Sequence, residues 1–272
     1  MKKIYLVLIV LLYTNIVFSQ KIYFGLQGGY NIDLSKQNTQ MYFNGISDEE
    51  RILFADYTYD ANNTPLKINA VPINFGSAFT YGANIGFLYK NFGIELQANY
   101  FKTSKYTAKI ADNFYSDMWL ESLNFIPSFV FKSDTTKLSF IAKVGLILSS
   151  NTVYNYNYSP TEDNNYQTEQ TGGLSFGAYF GIGAEYSIFK NFYLSFLIEG
   201  NILNFVPNKQ KVVSYTYLGE DNLSQLTEEQ RTINFKDEVN LTYDENNAEY
   251  VKPNYNLSNL GLKLSLKYYI NL

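Results

Sequence analysis

The chain of 272 residues has no cysteine and no histidine, a single tryptophan, and only 17% charged residues. Without cysteine it forms no disulfide and no thiolate metal site. Without histidine it lacks the side chain that most often serves as general base near neutral pH. Beyond the first residues it also lacks any apolar run near the roughly 20 residues that a membrane helix requires. What is present in quantity is aromatic: 26 Tyr and 21 Phe bring the aromatic share to 18%. A chain so aromatic, yet neither strongly hydrophobic nor strongly charged on average, is what alternating lipid-facing and lumen-facing residues produce.

The opening stretch MKKIYLVLIVLLYTNIVFSQ carries Lys2 and Lys3, an apolar run from Ile4 to Leu12, and Val17-Phe18-Ser19 ahead of Gln20. This is the pattern of a secretory signal peptide over residues 1–19, leaving a mature domain of residues 20–272. An anchoring helix is the competing reading, but Thr14 and Asn15 interrupt the run short of spanning length. No cysteine follows the run, so a lipoprotein anchor is excluded. Export without disulfides suits a bacterial envelope protein.

The last residues, NLGLKLSLKYYINL, alternate strictly, with Leu260, Leu262, Leu264, Leu266, Tyr268 and Ile270 on one side and Lys263, Ser265, Lys267 and Tyr269 on the other. A period of two is that of a strand with one apolar face. The pattern occurs eight times, at roughly 21–32, 78–90, 93–103, 120–132, 138–150, 173–187, 192–205 and 257–271. The connections alternate long and short. The long ones run 33–77, 104–119, 151–172 and 206–256; the short ones lie near Asn91-Phe92, at Ser133 to Lys137 and at Ile188 to Asn191. An even number of strands with short turns on one rim predicts an eight-stranded antiparallel up-and-down transmembrane β-barrel, all-β, with long extracellular loops and both termini periplasmic.

A soluble lipocalin-type barrel has the same period, so the chemistry of the faces decides. The polar face carries Gly82, Asn84 and Gly86 on the second stretch and Ser175, Gly177, Gly181 and Gly183 on the sixth. Such residues suit a narrow, filled interior, whereas a soluble exterior would show Lys and Glu. The apolar face carries aromatics toward its ends, as in Phe79 and Tyr81 against Phe87 and Tyr89, the arrangement of two interfacial girdles. The leucines of the last stretch therefore face lipid. Charge follows the same division: the four long connections carry a net of −10 and the rest of the mature chain a net of +4. An acidic outer surface speaks against a nucleic-acid partner.

The first stretch KIYFGLQGGYNI, the glycine-rich GGLSFGAYFGIGAEY followed by FKNFYLSFLIEGNI, and the amphipathic last strand together resemble the outer-membrane β-barrel family of Bacteroidota, PorT-like and similar in shape to the small OmpA and OmpX barrels. The likeness spans nearly the whole mature chain through strand patterns and glycines. It implies a non-enzymatic outer-membrane barrel, or an accessory subunit of an outer-membrane protein-secretion or transport machine. The chain departs from that pattern in its long connections at 33–77 and 206–256, and in ending on Leu272 where such barrels place Phe.

Ser139 with Lys143, and Lys263 with Ser265, share inward faces and are the remaining candidates for a Ser-Lys catalytic pair. Such a lysine needs a strongly lowered pKa, and nothing in the pattern supplies one. No catalytic residue, cofactor site or metal site is assigned. Inward positions hold Glu95, Lys143, Glu185, Glu199, Lys263 and Lys267, three charges of each sign. Eight strands enclose room only for side chains, so these six are expected to form a structural ion-pair network, with Glu199 and Lys263 partnered and Lys143 nearby. In the loops, Ser47-Asp48-Glu49-Glu50 is a capping box that predicts a helical turn over RILFADY. KVVSYTYL and RTINFKDEVNLTYDE predict strands flanking a helical tip in LGEDNLSQLTEEQ. The acidic tips YDANNTP, PTEDNNY and YDENNAEY are rich in oxygen but lack calcium-loop spacing. Outer-membrane lipid is the expected surrounding, with a protein or glycan partner at loops 33–77 and 206–256. The mature protein is expected to begin at Gln20, and intact-mass spectrometry of the membrane-extracted protein checks this; a mass that retains residues 1–19 makes the segment an anchor.

Overall fold

The computed structural model describes residues 20–34, 40–41, 51–52, 55–59, 65–70, 73, 75–111, 113–133, 137–237 and 252–272. The expected signal peptide, the capping box at 47–50 and the tip YDENNAEY lie outside them. The eight alternating stretches are eight antiparallel strands: Gln20–Asp33, Ala78–Tyr89, Phe92–Thr103, Phe114–Lys132, Leu138–Ser159, Ser175–Phe189, Phe192–Phe205 and Asn259–Asn271. Each pairs with the next, and the eighth returns to the first in register from Lys21↔Asn271 to Asp33↔Asn259. Closure leaves the barrel wall no free edge, the condition for crossing a bilayer with strands.

The faces divide as the period requires. Outward positions are apolar around the whole circumference, from Leu26 and Phe79, 72% and 73% exposed, to Phe176 and Leu264, 72% and 54% exposed. Monomeric soluble proteins rarely present contiguous apolar surface of more than a few hundred Å² to water. The fold is therefore a transmembrane β-barrel. Aromatic pairs mark the two ends of the band: Tyr30 with Phe79 and Tyr81 with Tyr100 toward the long connections, Phe92 with Phe131 and Phe192 with Tyr268 toward the short turns. The tight turn after the second strand puts Lys90 at φ 53°.

Two of the four long connections differ from their reading as loops. The fourth and fifth strands remain paired up to Tyr115↔Tyr158, well beyond the barrel top at Ser149↔Ser175. Asn164–Thr171 adds to the fifth strand, Lys209–Tyr217 adds to Asn164–Thr171, and Thr232–Asn234 adds to Lys209–Tyr217, while Tyr106–Ala111 flanks the fourth strand. The result is a sheet standing above one side of the barrel. Its period was hidden because Tyr154-Asn155-Tyr156-Asn157-Tyr158 alternates between two residue types that both end in polar atoms, and NNYQTEQT is polar throughout. The expected helical turn over RILFADY is also corrected: Arg51–Ile52 and Ala55–Tyr59 are strands, paired with Gln40–Met41 and Pro65–Ala70. Ile52, Tyr57 and Thr58 are β-branched or aromatic, and a partner strand outweighs a local cap. The last long connection has the first expected flanking strand, Lys209–Tyr217, strand at Thr232–Asn234 within the second, whose residues from 238 lie outside the described ones, and a helical tip, Glu228–Arg231, capped by Thr227 with Gln230 returning the bond.

Inward glycines make room for long inward side chains. A Cβ at Gly86 would collide with the ring of Tyr23. Gly86→Val is expected to destabilise the barrel by about 1–3 kcal/mol through overpacking. The measurement is the temperature at which the folded, fast-migrating gel form is lost, with Ala83→Val on the lipid-facing side as a control that leaves it unchanged.

Candidate functional site

The lumen is filled from end to end. At the short-turn end Tyr23, Leu88, Val130, Ile141, Leu197 and Tyr269 pack together, with Tyr193 against them. At the long-connection end Phe75, Tyr255 and Phe205 stack over the barrel mouth, the ring of Tyr255 lying 5.2 Å from Phe75 and 6.1 Å from Phe205. Tyr255 donates to Gln170 Oε1 at 2.7 Å, and burial raises its hydroxyl far above the usual phenol range, so it remains a donor. Between the two apolar layers lie the charges.

All six charges expected in the lumen point inward and are buried. Lys263 Nζ lies 2.7 Å from Glu199, across the seventh and eighth strands. Lys143 Nζ lies 2.5 Å from Glu95, reaching from the fifth strand to the third. Lys267 Nζ lies 2.9 Å from Glu185 and 4.0 Å from Glu95, so it links two carboxylates. The geometry thus gives two groups: Glu199 with Lys263, and a chain of Glu95, Lys143, Lys267 and Glu185. Lys143 stands with Glu95 and not with Glu199.

Other members of the network were not read from the sequence. Lys132 is paired with Glu185 and lies 4.5 Å over the ring of Tyr193 and 4.4 Å over that of Tyr269. Its even position on the fourth strand, in step with Ser128 and Val130, is the signal that places it inward. Tyr23 donates to Glu95 at 2.7 Å, Tyr269 to Glu185 at 2.8 Å and Tyr179 to Glu199 at 3.3 Å. Each carboxylate therefore has both a lysine and a phenol. Beyond the charges an amide layer continues the filling: Asn84 donates to Gln27, Gln27 to Gln97 and Asn99, and Asn201 to Asn259.

The two candidate Ser-Lys pairs are both drawn into this packing. Lys143 is held by Glu95 and Lys263 by Glu199, so each ammonium is tied to a carboxylate and neither is placed as a free base. Among the described residues no cluster of three or more acidic side chains could hold a metal ion.

Above the membrane band, Lys102 and Glu121 form an outward ion pair at 2.6 Å. Over it, on the outer face of the raised sheet, stand five aromatic rings. Trp119 and Tyr154 stack at 5.0 Å and 8°, Tyr115 and Tyr158 at 5.7 Å, and Tyr156 and Tyr158 at 5.3 Å. Lys105 caps Trp119 at 4.8 Å, and Thr107 donates to Asp117 at 2.7 Å beside it.

Fold and lumen together define a transmembrane β-barrel of eight strands with a packed interior. No family model matches the chain, and no curated protein matches it in sequence. Among solved structures it is similar to the outer membrane protein OprG from Pseudomonas aeruginosa, at 11% identity over 94% of this chain and 100% of that one, TM-score 0.44. It is similar to Neisserial surface protein A, NspA, at 11% identity over 91% and 96%, TM-score 0.40. It is also similar to the outer membrane protease OmpT from Escherichia coli, at 9% identity over 92% and 96%, TM-score 0.39. Likenesses this distant say nothing of this chain's activity.

Removing one partner of a buried pair leaves a lone charge in a low-dielectric interior and typically costs about 3 to 5 kcal/mol. Glu199→Gln is expected to lower the thermal unfolding temperature in detergent by that measure, and the double variant Glu199→Gln with Lys263→Met to recover part of the loss. Unfolding unchanged in Glu199→Gln would show the pair to be energetically idle.

Proposed function

We propose that this is a non-enzymatic barrel of the Gram-negative outer membrane, with both termini in the periplasm, whose raised sheet and long acidic connections bind a partner protein or a glycan at the cell surface. The observation that carries the reading is the filled lumen. Among the described residues, buried ion pairs, an amide layer and an apolar layer at each end occupy the lumen, and eight strands enclose no more than side chains. What remains for recognition is the part beyond the membrane. There the outer face carries Tyr115, Tyr154, Tyr156 and Tyr158, with Trp119 buried under Tyr154 and Lys105, among amide, hydroxyl and carboxylate groups. Tyrosine-rich surfaces supply large, rigid, amphipathic contact area at low entropic cost and recur where proteins bind other molecules. The strand and glycine patterns that resemble the PorT-like barrels of Bacteroidota support an accessory role in a larger membrane machine as the alternative.

The role of the lumen network in this reading is to hold the barrel shut as a rigid base. Long connections on such a base add little closure entropy, about 0.6 kcal/mol per doubling of length. The connection at 206–256 is not wholly dispensable, because Tyr255 caps the lumen and Tyr255-Asn256 pair with Phe205 and Asn204. Excision is therefore drawn at 209–252. Replacing those residues with a Gly-Ser link is expected to preserve the heat-modifiable gel shift of a folded barrel and to abolish co-purification of the partner from cells in mild detergent. External protease should cut intact cells within 209–252. Partner retention by the shortened protein would remove recognition from this connection, and failure to fold would make the connection structural.

A further inference from the structure

We propose that the lumen mouth at the short-turn rim is a binding site for one phosphate group, held by Lys21, Lys90 and Lys132. The inference goes beyond the surface recognition assigned to the raised sheet and does not rest on it, because the two sites lie at opposite ends of the barrel. Several strands meet at this mouth. Lys21 shares the inward parity of Tyr23 on the first strand and pairs in register with the inward Leu88 on the second. Lys132 ends the fourth strand, and Ser139 and Tyr193 are the first inward positions of the fifth and seventh. With Lys90, Asn91 and Ser133 they line one recess of about 50 Å³.

Size limits the ligand. The recess has room for a few water molecules, hence for a single oxyanion and not for a sugar or a nucleoside. It abuts, through Leu88 and Tyr193, the apolar layer that closes the lumen behind it, so a group that enters stays at the mouth. The turns on either side hold the lining in place. Ser133 Oγ accepts from the N–H of Phe140 at 2.8 Å, and the main-chain N–H of Ser133 donates to the carbonyl of Phe140 at 2.9 Å. The N–H of Lys132 donates to the carbonyl of Asn91 at 2.8 Å.

Charge supplies the reason for an anion. Glu185 is shared by Lys132, Lys267 and the hydroxyl of Tyr269, and Glu95 by Lys143, Lys267 and the hydroxyl of Tyr23. Two carboxylates therefore face three ammonium groups, and one positive charge is left over where burial makes an unmatched charge costly. Lys21 and Lys90, both exposed, add two more at the mouth. Among the described residues no further carboxylate lies at this end: Glu199 is held by Lys263, and the other acidic residues belong to the long-connection half. The lining offers ammonium, amide and hydroxyl donors and no acidic side chain. Ammonium groups on several sides of one small recess complement a phosphate, whose charge is spread over several oxygens.

The test folds the full chain in a neutral detergent at low ionic strength and counts bound inorganic phosphate by equilibrium dialysis. Wild type is expected to bind one phosphate per chain, and to unfold at a higher temperature in phosphate than in chloride of equal ionic strength. Lys21→Gln with Lys90→Gln is expected to bind about tenfold or more weakly. Lys190→Gln, which removes the same charge from another turn of this rim, is expected to bind as wild type does. Folding of each variant is read from the gel shift, and Lys90→Gln alone decides the matter where the double variant does not fold. No saturable binding in wild type, or equal binding by wild type and the lysine variants of the recess, overturns the proposal and leaves a diffusely basic rim. Binding seen only in Asp134→Asn also overturns it, because the counter-charge then belongs to the chain itself. A second arm repeats the dialysis in nanodiscs of phosphatidylglycerol: phosphate bound there as in detergent makes the ligand a free anion, and phosphate excluded there makes it a lipid headgroup. The 209–252 excision is expected to bind phosphate as wild type does, which separates this outcome from that of the surface-recognition reading.

Discussion

In hydrocarbon no water is available to a backbone N–H or C=O, and each such group left alone costs several kcal/mol. Every other feature of this barrel follows from that constraint. It requires the eighth strand to return to the first, and because that closing pair is antiparallel like the others, the strand number is even and the two ends of the barrel wall lie at one rim. It sets the period of two, since a ladder that satisfies every backbone group leaves side chains alternating between lipid and lumen. It also tolerates Pro127 only where the neighbouring backbones close up around the missing donor.

The lumen solves a second problem created by the first. An eight-stranded wall encloses a space too narrow for bulk water but lined by positions that cannot all be apolar without reversing the inside-out pattern. Charges there are tolerated because each has partners: three glutamates, four lysines and three tyrosines bond among themselves, and Lys132, the surplus cation, keeps part of its side chain at the rim. Replacement by apolar groups of similar volume could be equally stable. What such a network adds is register, because Lys263 finds Glu199 and Lys143 finds Glu95 only when every strand is aligned.

Inside the membrane and above it, the sheet obeys different chemistry. Below Ser149 the outward face is aliphatic and aromatic, and above it Thr152, Tyr154, Gln167 and Glu169 occupy the same parity on the same or the adjoining strand. The strands do not stop where the lipid does. They continue because Tyr, Thr and Asn-rich segments still pair as strands when a template edge is at hand, and the fourth and fifth strands offer one.

The eight barrel segments, their connection order and the inward side of Glu95, Lys143, Glu185, Glu199, Lys263 and Lys267 were legible in the residues alone, because a half-buried strand writes its faces into a period of two. Glu199 with Lys263 was legible too, since adjacent antiparallel strands set depth by counting from a turn. The partners of Lys143 and Lys267 were not. Those side chains cross the lumen between strands that are not neighbours, and the choice among carboxylates depends on barrel stagger and on which glycines leave room, as Gly86 does for Tyr23. The parts of the raised sheet at 106–119 and 151–171 were likewise invisible as strand, because the Tyr-Asn alternation carries no contrast in hydropathy; Lys209–Tyr217 and Thr232–Asn234 were expected as strands, but their partners were not, since the pairing of Asn165 with Thr216 joins distant segments. Local sequence determined which way each side chain points; only closure of the barrel decided what it meets there.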